Sequence, residues 1–382
     1  MRVPFTDDEL EHLLDRPVRQ LLTAADRRRF AGRRVLITGG GGSVGSELAR
    51  QIADCRPALL TLVDHSELAL FEILRELSER CPDVPVEPVL ADVCRARLMQ
   101  RTLIAASPDV VFHAAAYKHV AMVERDVCVA VSANVIGTVN VVRASREAGA
   151  RVVLVSSDKA AAPRSVMGAT KRLAEFATLA EATAAFRPIV VRFGNILGSS
   201  GSLLAVLRDR VHRGLPLRIT DLEATRYVMT AGEAVSLMMK ADVLARRPET
   251  YWLDMGEPVA IGRLTERLLA LETAAGFARV PIEIVGLSPG EKRREELTTQ
   301  GLRMSRTAHR RIWVARQRAS DQGAIGRTLE RLRHLVARGE AEATLDLLVA
   351  AVPDFEASAE AWASARRQSA AINRRASLRR SA

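Results

Sequence analysis

Short apolar runs punctuate the first half of the chain at 34–38, 59–63, 86–90, 109–112, 152–155 and 188–192. Their length and β-branched content fit strands buried on both faces. Between them lie stretches with helical spacing, beginning with one that opens at Ser46 and continuing at 66–80, 95–105, 126–148 and 171–180. Strand and helix in steady alternation predict an α/β fold, a Rossmann-type doubly wound parallel sheet spanning residues 31–196.

The pattern then shortens. Gly194-Asn195 and the run Gly198-Ser-Ser-Gly-Ser202 read as loop. After them come helices at 203–213, 231–246 and 261–273 and strands at 217–219, 251–253 and 282–285, with two short helices over 320–350. This predicts a smaller C-terminal substrate lobe over 197–355, some of whose elements return to the core. Ahead of the first strand, Thr6 followed by Asp7, Asp8 and Glu9 caps a helical arm expected within residues 1–30.

Composition adjusts this picture in two places. The formal charge of +11 suggests a nucleic-acid partner. Yet residues 357–382 alone carry six arginines against Glu360, so much of the excess sits in a tail, 356–382, expected to be disordered and solvated. No nucleic-acid partner is expected. No apolar run approaches the roughly 20 residues of a bilayer span, and the acidic N-terminus lacks the apolar core of a secretory signal. A cytoplasmic protein is the expectation. Cys55, Cys81, Cys94 and Cys128 show no metal-ligand or disulfide spacing, and no metal site is expected.

Candidate chemistry gathers first at the end of the opening strand. Thr38-Gly39-Gly-Gly-Gly42-Ser43-Val44-Gly45 lies between a strand and a helix, and Asp64-His65 follows the next strand. In that context a glycine-rich turn reads as a dinucleotide site. Gly39 permits the tight turn, Gly42 the approach of a pyrophosphate and Gly45 the packing of helix on sheet. The free N–H groups of the helix start bind phosphate charge. Asp64 accepts from both ribose hydroxyls and repels a 2′-phosphate, which favours NAD over NADP. Asp92-Val93 follows the third strand, where the carboxylate either meets an adenine edge or caps a helix. Ala114-Ala115-Ala116 after His113 either lets a flat cofactor pass or packs closely.

A second cluster lies between the fifth strand and the next helix: Ser157, Asp158, Lys159, Met167 and Lys171. Such an elbow stands at the carboxyl end of the sheet, where ligands bind. Read without context, Asp158-Lys159 is a solvated loop pair, and Met167 is core packing.

Together these stretches resemble the extended short-chain dehydrogenase/reductases. More narrowly they resemble the UDP-N-acetylglucosamine 4,6-dehydratases of polysaccharide biosynthesis. The matching runs are Gly42–Leu48, His113–Val120, Ser157–Ala160, Val166–Arg172, Arg192–Gly198, Thr225–Tyr227, Leu253–Pro258 and Pro289–Lys292. Met167 stands where short members carry tyrosine, so the chain resembles the catalytic half of the long, membrane-anchored, methionine-type members. Ala121 and Asp126-Val127 depart from the family pattern beside the substrate cleft.

The resemblance implies a UDP-sugar substrate, a homo-oligomer, retention at C5 and four events: hydride loss from C4, proton loss from C5, departure of the C6 hydroxyl and hydride return to C6. Lys159 is the expected base, its pKa lowered by the like charge of Lys171. Asp158 is the expected acid, Ser157 the partner of the C4 oxygen and Lys171 the grip on the nicotinamide ribose. Lys118, Asn195, Arg226, Glu291 and Lys292 are expected to contact sugar or diphosphate. Met167 cannot take the C4 hydroxyl proton. Two alternatives stand beside this: a UDP-sugar 4-epimerase, and a non-catalytic NAD-binding sensing or assembly module.

Overall fold

Six parallel strands carry the architecture: β1 Arg34–Thr38, β2 Leu59–Asp64, β3 Val86–Leu90, β4 Val110–His113, β5 Arg151–Ser157 and β6 Ile189–Phe193. The computed structural model describes residues 5–19, 21–296, 304–315 and 321–380, with side chains to residue 371. The strands lie in the order β3-β2-β1-β4-β5-β6, and the sheet continues past β6 through Thr250–Leu253, Ile312–Ala315 and Met304–Arg306. Strand order reverses between β1 and β4, which opens a crevice at their carboxyl ends. Register aligns those ends: Thr38 sits beside Val63 and His113, His113 beside Leu154, and Ser157 beside Phe193.

The inner strands are apolar on both faces because helices cover both, whereas β3, at the sheet edge, is largely exposed. On one face Val35, Ile37, Phe112, Val153 and Val191 join Leu48, Ile52 and the helix Ala231–Leu244. Leu36, Val111 and Val152 meet Met99, Leu103 and Val141 on the other. Elements after residue 197 pack onto this body: Ala231–Leu244, the sheet-edge strands and the helices Gln322–Arg338 and Ala341–Ala351. A separate apolar cluster of Leu204, Leu207, Leu217, Ile219, Leu264 and Leu268 holds the smaller lobe together.

Several expectations need correction. The N-terminal arm is two short helices, Asp7–Leu14 and Ala24–Arg28. The first ends at Asp15, whose φ of 56° is left-handed, just before Arg16-Pro17, a pair that disfavours helix. The arm is tied down by Arg16, which donates to both carboxylate oxygens of Glu233 at 2.6 and 2.9 Å. The stretch 126–148 is interrupted by a π-helical turn, Ser132–Gly137. The elbow helix starts at Val166, not Lys171, because Ser165 caps it through Gly168 N at 3.2 Å.

The tail is the largest correction. Ala359–Arg380 is a helix rather than disordered chain. Ala361 and Ala365, four residues apart and thus on one face, bury against the apolar cluster of Leu345, Leu348 and Phe355. The small side chains allow close approach, and the charge count alone hid that face. The membrane expectation also needs amending. Among the described residues one helix, Val127–Glu147, is long and apolar enough to cross a bilayer, with 72% of its apolar window buried inside the protein. It is a core helix.

Candidate active site

The glycine-rich turn is built by close approach. Gly39 has φ of +69°, and a Cβ there would stand 2.7 Å from Ala115 N. A Cβ on Gly45 would reach 1.9 Å from Gly39 O, so the helix Ser43–Ala53 can seat on the turn only with glycine. Gly42 is the N-cap of that helix and makes no side-chain cap, which leaves the first-turn N–H groups of Ser43, Val44 and Gly45 available to an anion. Thr38 O accepts from Ala114 N, fastening the Ala114–Ala116 stretch against the turn. These features fit a dinucleotide.

Two acidic positions are less free than expected. Asp64 Oδ2 accepts from Gly41 N and Oδ1 from Ser66 N, both at 3.0 Å, so the carboxylate braces the turn in this structure. Exposed His65 lies 3.3 Å from Asp64. Asp92 accepts from Cys94 N at 2.8 Å, a local turn, while Val93 is buried against Gly137. A loop of the second lobe reaches the turn, with Ser200 N donating to Ser43 Oγ at 3.0 Å.

Beneath this site runs a buried chain of hydroxyl and imidazole groups that sequence reading missed. Thr138 Oγ1 donates to Asn134 O at 2.7 Å, so it accepts from His113 Nε2 at 2.9 Å, and His113 Nδ1 in turn accepts from Thr38 at 2.6 Å. Burial, aided by the Lys171 charge, pushes the imidazole down to about 3, and it stays neutral. The π-helical turn points Asn134 back at the β4 loop. Its amide brackets the Tyr117 N and O groups at 2.8 and 3.0 Å and donates to Thr170 at 3.0 Å.

The elbow residues come together as a compact group. Asp158 is fully buried, and its Oδ1 accepts from Ser157 Oγ at 2.8 Å and Lys159 Nζ at 3.1 Å. Asp158 Oδ2 is buried without a protein donor. Lys159 Nζ also donates to Asn195 Oδ1 at 2.8 Å and pairs with Glu295 at 3.3 Å. Lys159, Arg226, Glu291, Lys292 and Glu295 line a cavity of about 210 Å³ between the elbow and the second lobe.

Lys159 is not tuned as expected. Burial alone depresses an ammonium, but the carboxylates of Asp158 and Glu295 outweigh it and raise the pKa above the ordinary lysine value. Of the two elbow lysines the depressed one is Lys171. Burial, opposed by Glu175, pushes it down to about 8, and its Nζ donates to Val155 O at 3.1 Å. Met167 packs in an apolar cluster with Val123, Val131 and Leu173, consistent with its core reading.

The remaining candidates divide. Lys118 reaches Ser199 Oγ at 3.4 Å, and burial lowers its pKa. Arg226 donates to Glu291 at 2.8 Å, and Glu291 also accepts from Thr220 at 3.2 Å. Lys292 donates to Ala161 O at 3.3 Å, so it clamps the second lobe to the elbow. Gly290, with φ of +76°, lies against Ser165 in the same clamp.

Glu175 and Arg192 were also missed. They form a fully buried pair joined by Ser156 Oγ at 2.6 Å and Arg172 at 3.2 Å, with Arg192 lying over the Trp252 ring. The spacing Lys171-to-Glu175, one helical turn, was the available signal. Glu124 accepts from Val166 N and from Ser358 Oγ, joining the elbow helix to the C-terminal helix.

Residues 35–317 match the polysaccharide biosynthesis protein family. The chain is similar to the probable polysaccharide biosynthesis protein EpsC of Bacillus subtilis, 40% identical over 76% of this chain and 49% of that protein. It thus spans about half the length of that relative. It is 30% identical to a UDP-N-acetylglucosamine 4,6-dehydratase (inverting) of Campylobacter jejuni, over 55% of this chain and 63% of that one. A UDP-glucose 4-epimerase of Rickettsia canadensis is 29% identical over 71% and 79%. Among solved structures, Pen from Bacillus thuringiensis superposes with a TM-score of 0.69 at 26% identity, covering 80% of this chain and 98% of that one. DesIV of Streptomyces venezuelae, a dTDP-glucose 4,6-dehydratase solved with NAD, gives 0.61 at 23% identity over 70% and 88%. The chain belongs to the polysaccharide biosynthesis protein family, on the Rossmann-type fold shared by nucleotide-sugar dehydratases and epimerases.

Proposed function

We propose that the chain is an NAD-dependent nucleotide-sugar 4,6-dehydratase acting on UDP-N-acetylglucosamine. The observation that carries this reading is the Asp158–Lys159 pair, set at 3.1 Å on the carboxyl end of β5 and beside a cavity that also holds Arg226. A bound nicotinamide dinucleotide supplies hydride acceptance at C4 and hydride return at C6. The residues supply position and proton transfer. Arg226, its planar fork at the cavity wall, receives the diphosphate in place of Glu291. Ser157 turns its hydroxyl to the C4 oxygen, and the C4 hydroxyl proton passes through it to the Asp158 carboxylate as hydride leaves C4.

Lys159, once neutral, takes the C5 proton and gives one back to the same face of C5 when hydride adds at C6. The C5 proton is acidic only while C4 is a ketone. Asp158 gives a proton to the departing C6 hydroxyl through its unpartnered Oδ2. Lys171 holds the nicotinamide ribose. The product is a UDP-4-keto-6-deoxy sugar with C5 configuration retained.

A 4-epimerase is the competing reading, supported by the similarity to the Rickettsia enzyme. Against it stands the buried apolar setting of Met167, which places no hydroxyl at that point of the elbow helix. Incubation of the purified protein with UDP-N-acetylglucosamine in deuterated water, followed by NMR, separates the two. A 4-keto-6-deoxy product with solvent deuterium at C5 is expected. A C4-inverted sugar would assign the epimerase instead, and unchanged substrate with NAD bound would leave neither activity for this donor.

A further inference from the structure

We propose that Glu295 is a positioning residue whose carboxylate reaches across from the second lobe and holds Lys159 as a committed ammonium donor. The catalytic consequence rests on the dehydratase reading above, whereas the contact itself does not.

Lys159 Nζ has three acceptors around it: Asn195 Oδ1 at 2.8 Å, Asp158 Oδ1 at 3.1 Å and Glu295 Oε1 at 3.3 Å. An ammonium group has three N–H donors. Asn195 and Asp158 accept hydrogen bonds from two of them, Glu295 lies at ion-pair distance, and the ammonium so held has no lone pair to accept a proton from carbon. Two of the three acceptors belong to the elbow and to the strand Asn195–Ile196 beside it. Glu295 alone comes from the distant 286–296 loop, which is clamped to the elbow by Lys292 on Ala161 O and by Gly290 on Ser165.

The Glu295 side chain is 3% exposed, and its Oε2 is buried without a donor. A buried carboxylate oxygen left unpaired is costly. A ligand hydroxyl entering the cavity can relieve that cost. The other charges facing Lys159 do not duplicate Glu295. Arg226, whose Nε lies 3.8 Å from Glu295, is a cation and opposes the ammonium, as does Lys292 nearby in the same cavity. Asn195 is neutral. Asp158 is the only other carboxylate in contact with Nζ among the described residues. Glu295 therefore does two things: it fixes where Nζ points, and it sets the pH above which the amine is free to take the C5 proton.

The test labels lysines of the full chain with trace acetic anhydride across pH 7 to about 10, without substrate, and reads Lys159 by peptide mass spectrometry. Glu295→Gln keeps the shape and removes the charge. It is expected to speed Lys159 acetylation at least about tenfold at pH 8, the change that corresponds to one pKa unit. Glu295→Asp, which keeps the charge, is expected to stay close to wild type. Equal labelling of wild type and Glu295→Gln overturns the proposal. Labelling as fast in Glu295→Asp as in Glu295→Gln also overturns it, because packing rather than charge would then protect Lys159. With turnover measured, the ascending acid limb of kcat/KM, which reports the base that must be neutral, moves to lower pH in Glu295→Gln, and an unmoved limb contradicts the role. The labelling result stands whether or not UDP-N-acetylglucosamine is the substrate, so failure of the functional reading is seen separately.

Discussion

Asp158 presents one carboxylate oxygen to Lys159 Nζ at 3.1 Å and keeps the other buried and unpaired. One oxygen thus anchors the amine while the other is left for a ligand. On the dehydratase reading this divides acid from base within two adjacent residues. Lys159→Ala is expected to lower turnover by about 10²–10⁴-fold, the usual worth of one acid–base group, with NAD affinity unchanged. Titration calorimetry with NAD alongside an NMR turnover assay checks both halves. Near-normal turnover removes Lys159 as the base.

Glu175 gives a stability prediction of large size. It is fully buried with Arg192 and Arg172, and its pKa is lowered because the arginines and Ser156 outweigh burial. Removing one member of such a group strands the other charges. Glu175→Ala should cost about 3–5 kcal/mol, read as a shift of the urea midpoint at unchanged slope.

His113 sets a pH dependence. Its pKa is depressed from 6.5 to about 3 by burial, so between these values the unfolded chain binds more protons than the native protein. The contribution is full above pH 6.5 and is lost as pH falls toward about 3. Over that whole window it amounts to something on the order of 5 kcal/mol. Urea titrations at a series of pH values should show midpoints falling from pH 7 to 5, and His113→Gln should flatten that slope.

Gly39 ties fold to cofactor. Alanine there takes a left-handed conformation costing about 1–2 kcal/mol, and its Cβ meets Ala115 N at 2.7 Å. Gly39→Ala should lose NAD binding by calorimetry and melt earlier than wild type. Full NAD affinity in that variant would show that the turn does not cradle the dinucleotide.

The six parallel strands were legible because each is an apolar run bounded by turn residues, and buried strands have few other solutions. Legible too was the elbow, since Ser157, Asp158 and Lys159 follow one of those runs directly. The charge state of Lys159 was not. It depends on Asp158 and also on Glu295, more than a hundred residues away, and no local pattern announces that second contact. Lys171 was expected to depress Lys159; the carboxylates of Asp158 and Glu295 instead raise it, and burial depresses Lys171 itself.

The π-helical turn at Ser132–Gly137 escaped for a similar reason: its residues keep helical apolar spacing, and only Asn134 and Gly137 depart from it. The basic tail misled because charge was counted over the segment, whereas Ala361 and Ala365 decide its packing.

Hydride taken from C4 should return to C6 of the same sugar. UDP-N-acetylglucosamine carrying deuterium at C4 tests it in a single incubation read by NMR and mass spectrometry. A 4-keto-6-deoxy product with the deuterium in its C6 methyl group is expected. Deuterium recovered at C4 of an inverted sugar would contradict it.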